Sequence, residues 1–315
     1  MEEMNVLAYT EFGPPEVLRP MKLPVPQPAT GEILVKVKCA SFNPSDALAR
    51  KGVFQRIIDL TSPHVPGVDF SGLVVGKGPK AEKFQLGQSV YGYLNIRNNG
   101  SYAEYVVLPE EDAVPVPHGL TYEETASIPL SYLTAYEALL KGDSLKNGQS
   151  VLLYGASGGV GLASIALAKM KKAAIYAVAG TQSLSLLEDK GVTRILDYKK
   201  EDILKEMPVK VDVLLNLAPL EKEKMTELLP LLKDHGTFVS TTGMPDPPEG
   251  STLTFLAVQT QRSEENLLLI TDLLNEKKIE PIKSSTWSIT DAPLVHKMHE
   301  EGKLLGKAVF LINFR

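Results

Sequence analysis

The stretch that most restricts the fold of this chain is residues 150–169. Ser150-Val-Leu-Leu-Tyr154 is a short apolar run of strand character, and Gly155-Ala-Ser-Gly-Gly-Val-Gly161 is a glycine-rich turn. Leu162-Ala-Ser-Ile-Ala-Leu-Ala-Lys169 then continues with helical periodicity. Inside the turn, Ala156, Gly158 and Gly161 stand at the spacing of a dinucleotide fingerprint, with alanine in place of its first glycine. Small residues permit the tight turn, Gly158 lets backbone approach a pyrophosphate, and Gly161 lets the helix pack close to the strand. The helix start offers free N–H groups and a positive dipole end to the phosphates. Ser157, Gly159 and Val160 complete this expected cradle. A glycine-rich turn also occurs as a plain connector, but here strand, turn and helix contexts agree.

The surrounding pattern supports that reading. Strands are expected at 150–154, 174–179, 194–197, 211–217, 237–240 and 252–258, with helices at 160–172, 183–190, 201–206 and 222–232. Such alternation implies a doubly wound parallel sheet with helices on both faces, an α/β fold. Residues 1–121 differ: strand-like stretches at 5–9, 33–40, 70–75, 89–93, 102–108 and 113–116 are separated by Gly- and Pro-rich turns. They predict a partly open barrel. Helices are expected at 122–126, 131–141 and 263–276, and a last strand at 308–312. The expected domains are therefore 1–121, 122–262 and a return segment, 263–315, that completes the first.

Several function classes are set aside. The formal charge is −5, with acids and bases interspersed, so no basic face points to nucleic acid. No apolar run reaches the roughly 18–20 residues of a membrane span. The acidic opening Met1-Glu-Glu-Met-Asn5 fits neither a signal nor a transit peptide. Cys39 is the sole cysteine, which excludes a disulfide within the chain and a four-cysteine zinc site; a reducing, cytoplasmic setting is the expectation.

The residues after the second strand bear on cofactor choice. An NAD-preferring site places Asp or Glu about 20 residues beyond the turn. Val178-Ala179-Gly180-Thr181 supplies no carboxylate there, which favours NADPH over NADH. Tyr198, Lys199 and Lys200 are the candidates to meet a 2′-phosphate; the alternative is that the lysines are a solvated helix start.

With these residues in view, the chain resembles the zinc-less quinone oxidoreductases and plant-type alkenal reductases of the medium-chain dehydrogenase/reductase family. The motifs that carry the likeness are the 155–161 turn, Pro66-Gly-Val-Asp-Phe-Ser-Gly72, Val90-Tyr-Gly92, Gly100-Ser-Tyr-Ala-Glu-Tyr105, and Ala126-Ser-Ile-Pro-Leu130 followed by Thr134-Ala-Tyr136. The resemblance implies a GroES-like catalytic domain formed by both termini around a central Rossmann domain. It also implies a homodimer joined through the sheet edge near 253–258.

The resemblance further implies site residues. Zinc-dependent relatives place Cys and Gly-His-Glu where this chain has Asn43 and Gly67-Val68-Asp69, and neither Asn nor Val replaces such ligands. His64, His118, His235, His296 and His299 are scattered, and the His296/His299 pair reads as a charged surface helix, so no metal is expected. In the matching loop, Asn43 and Asp46 border the nicotinamide, with capping of a turn before Pro44 as the alternative for Asn43. Leu48 and Phe54 stand where bacterial quinone reductases often carry tyrosines, leaving a more apolar pocket. Thr134 is expected to face the ring, the alternative being a backward bond to its own helix. Asn216, Ala218, Thr242, Gly243 and Lys307 are expected near ribose or nicotinamide.

The expected function is NADPH-dependent hydride transfer to the activated C=C bond of a small apolar α,β-unsaturated carbonyl compound. Quinone reduction is the first alternative, and a non-catalytic NADPH-binding protein of the same fold the second.

Overall fold

The computed structural model describes residues 2–314. Two compact units result from the chain's own contacts. The first comprises the residues up to Leu130, Arg262–Lys277 and those from Pro281 onward. It begins with an antiparallel ribbon of β1 (Glu3–Ala8) and β2 (Arg19–Pro24), then β3 (Glu32–Ser41), α1 (Pro44–Arg50), β4 (Asp69–Lys77), β5 (Ser89–Tyr93), β6 (Tyr105–Pro109), β7 (Ala113–Pro115) and α2 (Tyr122–Ala126). On β3 the side chains alternate, with Ile33, Val35 and Val37 buried and Lys36 exposed, as the two-residue period of a strand requires. Those three pack with Phe70, Val74, Val90 and Val106 into one core.

The second unit is Ser131–Gln261 with Lys278–Glu280. After α3 (Pro129–Leu139) it contains β8 (Ser150–Tyr154), α4 (Gly159–Met170), β9 (Ala174–Ala179), β10 (Arg194–Asp197), α5 (Ile203–Glu206), β11 (Val211–Asn216), α6 (Lys222–Leu228), β12 (Leu232–Ser240) and β13 (Thr254–Ala257). All six strands run parallel, in the order β10-β9-β8-β11-β12-β13. Every residue of β8 is buried, as expected of a central parallel strand covered on both faces. The order reverses direction between β8 and β11, which in open α/β sheets marks the ligand crevice at the strands' carboxyl ends.

The chain then returns to the first unit through α7 (Glu264–Asn275), β14 (Ser284–Ser288), α8 (Ala292–Glu300) and β15 (Lys307–Leu311). β15 inserts between β14 and β3, giving the order β14-β15-β3-β4-β5-β7, with β6 also paired to β3.

Four local expectations need correction. The helix expected over 183–190 is two 3-10 segments, Thr181–Leu186 and Glu188–Lys190, ended by Gly191 at φ 72°. β2 was hidden by Pro20 and Pro24, which a ribbon strand paired on one side tolerates. The segment after Ser41 is not a loop throughout: Pro44 opens α1 at the position where its missing N–H costs nothing. The helix carrying His296 is surface-facing on one side only. His296 is fully buried, with its ring at 4.8 Å from that of Phe42 and 6.1 Å from that of Tyr102.

Candidate functional site

In the second unit, the turn between β8 and α4 is built by three glycines with different jobs. Gly155 has φ +90°, a left-handed conformation that favours glycine, and an added Cβ would stand 3.3 Å from the backbone nitrogen of Ala218 beyond β11. Gly161 is packed against Ala156, whose carbonyl oxygen would lie 2.4 Å from a Cβ. Gly158 is exposed, and a Cβ there would meet only Gly155 O at 3.8 Å. The space over Gly158 is thus open to a ligand. Gly158 is also the N-cap of α4 and supplies no capping side chain, so first-turn N–H groups remain available to an anion. Ala156 is buried, while Ser157, Gly159 and Val160 are partly exposed around the turn.

At the end of β9, Gly180 lies beneath the side chains that follow β10. A Cβ on it would be 3.3 Å from Tyr198 Cε1, 3.5 Å from the Tyr198 hydroxyl and 3.5 Å from Lys199 Cε. Thr181 is committed: its hydroxyl donates to Asp197 Oδ2 at 2.5 Å, and Lys199 N donates to Asp197 Oδ1 at 3.0 Å. The Thr181 hydrogen bond holds the Asp197 carboxyl below the usual carboxylate range. Asp197 was not anticipated. Its signal was an acidic residue closing an otherwise apolar strand, Ile195-Leu196-Asp197.

The ends of β11 and β12 are joined by Asn216, which is buried. Its Nδ2 reaches Thr242 Oγ1 at 3.0 Å, Ala218 O at 3.1 Å and Ser240 Oγ at 3.3 Å, and its Oδ1 accepts from Ala218 N at 3.2 Å. Thr242 Oγ1 donates to Ala218 O at 2.7 Å. Asn216 therefore shapes the strand ends instead of facing solvent, while Thr242 and Gly243 are exposed. Thr134, on α3, is buried with its hydroxyl 2.5 Å from that of Thr260.

In the first unit, Asn43, Asp46 and Lys307 meet around Asp69. Asp69 Oδ2 accepts from Ser41 Oγ at 2.8 Å, Asn43 Nδ2 at 2.9 Å and Lys307 Nζ at 3.2 Å, and Oδ1 accepts from Leu130 N at 2.9 Å. Lys307 Nζ also donates to Asn43 Oδ1 at 2.6 Å and Phe42 O at 3.1 Å. An acidic residue opening the apolar strand Asp69-Phe-Ser-Gly-Leu-Val-Val75 was the overlooked signal. Lys307, expected beside ribose or nicotinamide, is buried in this cluster, where three oxygens satisfy all three of its N–H donors. Burial holds its ammonium below the ordinary lysine value.

Asp46 sits in the first turn of α1. Its Oδ2 accepts from Asn43 N at 2.8 Å, and its Oδ1 from Gly67 N at 3.3 Å. Burial, reinforced by the Asp69 charge, pushes its carboxyl up to about 7 against the lowering effect of those N–H groups and Lys307. Asn43 occupies the N-cap position of α1 in a capping box with Asp46, and its side chain also bonds Asp69 and Lys307.

Among the described residues, no group of three or more His, Cys, Asp or Glu is placed to hold a metal ion. The Lys307 ammonium lies among the oxygens of this cluster, and such a donor set does not fit zinc.

A family model described as the alcohol dehydrogenase GroES-like domain matches residues 29–118, and one described as zinc-binding dehydrogenase matches residues 190–310. The 2-methylene-furan-3-one reductase of Solanum lycopersicum is 31% identical over 98% of this chain and 79% of that protein. The chain belongs to the medium-chain dehydrogenase/reductase family. Family membership makes it a nicotinamide-dependent oxidoreductase with a GroES-like domain and a Rossmann domain. The quinone oxidoreductase of Mus musculus is 28% identical over 98% of each chain. The solved quinone oxidoreductase of Coxiella burnetii, 27% identical, superposes with a TM-score of 0.88 over 99% of this chain and 100% of that one.

Proposed function

We propose that the protein is an NADPH-dependent, zinc-independent reductase of activated C=C bonds in small apolar α,β-unsaturated carbonyl compounds. The observation that carries this reading is the open approach over Gly158 at the uncapped start of α4, in a chain 31% identical to a furanone reductase. When bound, the nicotinamide supplies the hydride. Gly158, Ser157 and Gly159 would take the pyrophosphate, and Tyr198 and Lys199, which overlie Gly180, would take the 2′-phosphate. The Asp197 carboxylate accepts from Thr181 and from the Lys199 backbone, and the Lys199 and Lys200 charges beside it offset its own. Thr134, Ala218, Thr242 and Gly243 are assigned to the nicotinamide half, with Asn216 holding Ala218 and Thr242 in place.

The substrate pocket is assigned to the α1 region. Leu48 and Val53 are 42% and 61% exposed there, and Phe54 is apolar where a tyrosine would offer a hydroxyl, so an apolar acceptor suits it best. Asn43 is assigned as a hydrogen-bond donor toward the carbonyl oxygen that gains charge, and Asp46 as the residue that holds the loop. A quinone is the second acceptor class, favoured by the likeness to two quinone oxidoreductases. A homodimer formed along β13 is part of the proposal: among the described residues this strand pairs with β12 alone, and Leu256 is 39% exposed on it. Initial rates of NADPH oxidation across short enones, long-chain enals and quinones test the reading. Consumption fastest with enones supports it, and no consumption with any acceptor leaves only a cofactor-binding protein.

A further inference from the structure

The Asn43 amide is held between a group that can only donate and a group that can only accept. Lys307 Nζ stands 2.6 Å from Oδ1, and Asp69 Oδ2 stands 2.9 Å from Nδ2. The two ends of an asparagine amide are distinguished by their partners, and here both partners agree. Turning the amide over would set N–H against ammonium and oxygen against carboxylate. With Oδ1 on Lys307 and one N–H on Asp69, the second N–H of Asn43, a residue 1% exposed, has no partner among the described residues.

The cation that enforces this is enclosed. Lys307 is 4% exposed and Asp69 0%, and the three acceptors of the ammonium are an amide oxygen, a backbone carbonyl and a carboxylate oxygen. Asp69 in turn holds Ser41, at the end of β3, and Leu130 N, in the first turn of α3. Burying this pair is favourable only while its hydrogen bonds stay complete.

We propose that Lys307 is a positioning residue: its ammonium, acting with Asp69 as a built-in cation in an oxygen cage, fixes the Asn43 amide so that one N–H is left as the donor for the substrate carbonyl. The assignment of that donor rests on the reductase reading above; the role of the ammonium does not. Charge alone is not enough for it. The group must carry N–H donors, because Asn43 Oδ1 and Phe42 O are hydrogen-bond acceptors.

The test shortens the side chain and returns the missing part. Lys307→Ala removes what n-propylammonium would replace. The variant should melt below the parent protein and reduce an enone about 100-fold more slowly, the scale of one lost oxyanion donor. n-Propylammonium should raise both melting temperature and turnover saturably, and trimethylpropylammonium, equal in charge but lacking N–H, should raise neither. A second variant, Lys307→Met with Asp69→Asn, removes both charges. It should regain most of the melting temperature and bind NADPH as the parent does, yet keep the turnover defect. Equal rescue by the two amines, or recovery of turnover together with stability in the double variant, would overturn the proposal. If the parent protein reduces no enone, the reductase reading fails, and the amine-specific recovery of melting temperature still decides the role of the ammonium.

Discussion

Gly161 approaches Ala156 so closely that a methyl group on it would stand 2.4 Å from the Ala156 carbonyl oxygen, whereas one on Gly158, three residues earlier, would meet nothing nearer than 3.8 Å. Two glycines of one turn therefore serve different ends. Gly161→Ala forces backbone apart and should destabilise the second unit by about 1–3 kcal/mol, the usual scale of overpacking. Gly158→Val, at an ordinary φ of −76°, should leave the melting temperature nearly unchanged and weaken NADPH binding at least tenfold. Melting curves and calorimetric titration of both variants separate the effects. Loss of stability in Gly158→Val would contradict the open space over it, and unchanged affinity would place the cofactor elsewhere.

Cofactor preference turns on the side chains over Gly180. A charge-assisted hydrogen bond contributes about 1.5–3 kcal/mol, so NADPH should be favoured over NADH by about 10- to 100-fold. Lys199→Ala should remove most of this preference by weakening NADPH alone. Parallel KM values for the two cofactors check it, and a parent protein that favours NADH contradicts it.

The raised Asp46 carboxyl gives a pH dependence with a definite sign. Its folded value of about 7 lies above the ordinary 3.8, so the folded chain holds a proton that the unfolded chain releases between those values. Its contribution to stability is complete at about pH 4 and is lost as pH rises toward 7. Asp46→Asn cannot titrate and should lack this term. The difference in unfolding free energy between variant and parent should therefore shift in favour of the variant from pH 4.5 to pH 8. A difference that is flat with pH would show that Asp46 is ionised throughout.

His296 works in the opposite direction. Arg50 Nε donates to its Nδ1 at 3.3 Å, which leaves the proton of the neutral ring on Nε2, facing the Tyr102 hydroxyl at 3.5 Å. Burial, then the Arg50 charge, holds its protonation well below the ordinary 6.5. Stability from this residue is present above about pH 6.5 and falls away as the pH drops. His296→Gln, which can still accept from Arg50, should flatten the acid limb of a urea-unfolding profile between pH 6.5 and 5. An unchanged limb would assign acid sensitivity to other groups.

The second unit was the more legible part of the sequence because its signals are local. The apolar strand 150–154, the turn at 155–161 and the alternation to 258 each declare themselves within a few residues, and β8, β9 and β10 have the bounds the pattern predicts. The 181–190 segment did not, since two short 3-10 segments share the composition of a helix. The first unit is built from distant pairings. Nothing near residue 307 shows that its lysine will meet Asn43, 264 positions earlier, or that Asp69 will collect Ser41, Asn43 and Lys307. Asp69 and Lys307 were visible as residues but not as partners. Similarly, the charged neighbours of His296 gave no sign that its own face turns inward toward Arg50 and Phe42.

Hydride delivery to an activated C=C bond is tested most directly by isotope transfer. The parent protein would be given NADPH carrying deuterium at the transferable C4 position and a simple enone, with the product read by NMR. Deuterium is expected at the β-carbon of a saturated ketone and, in heavy water, solvent deuterium at the α-carbon. Deuterium on the carbonyl carbon of an allylic alcohol would contradict it and make the protein a carbonyl reductase.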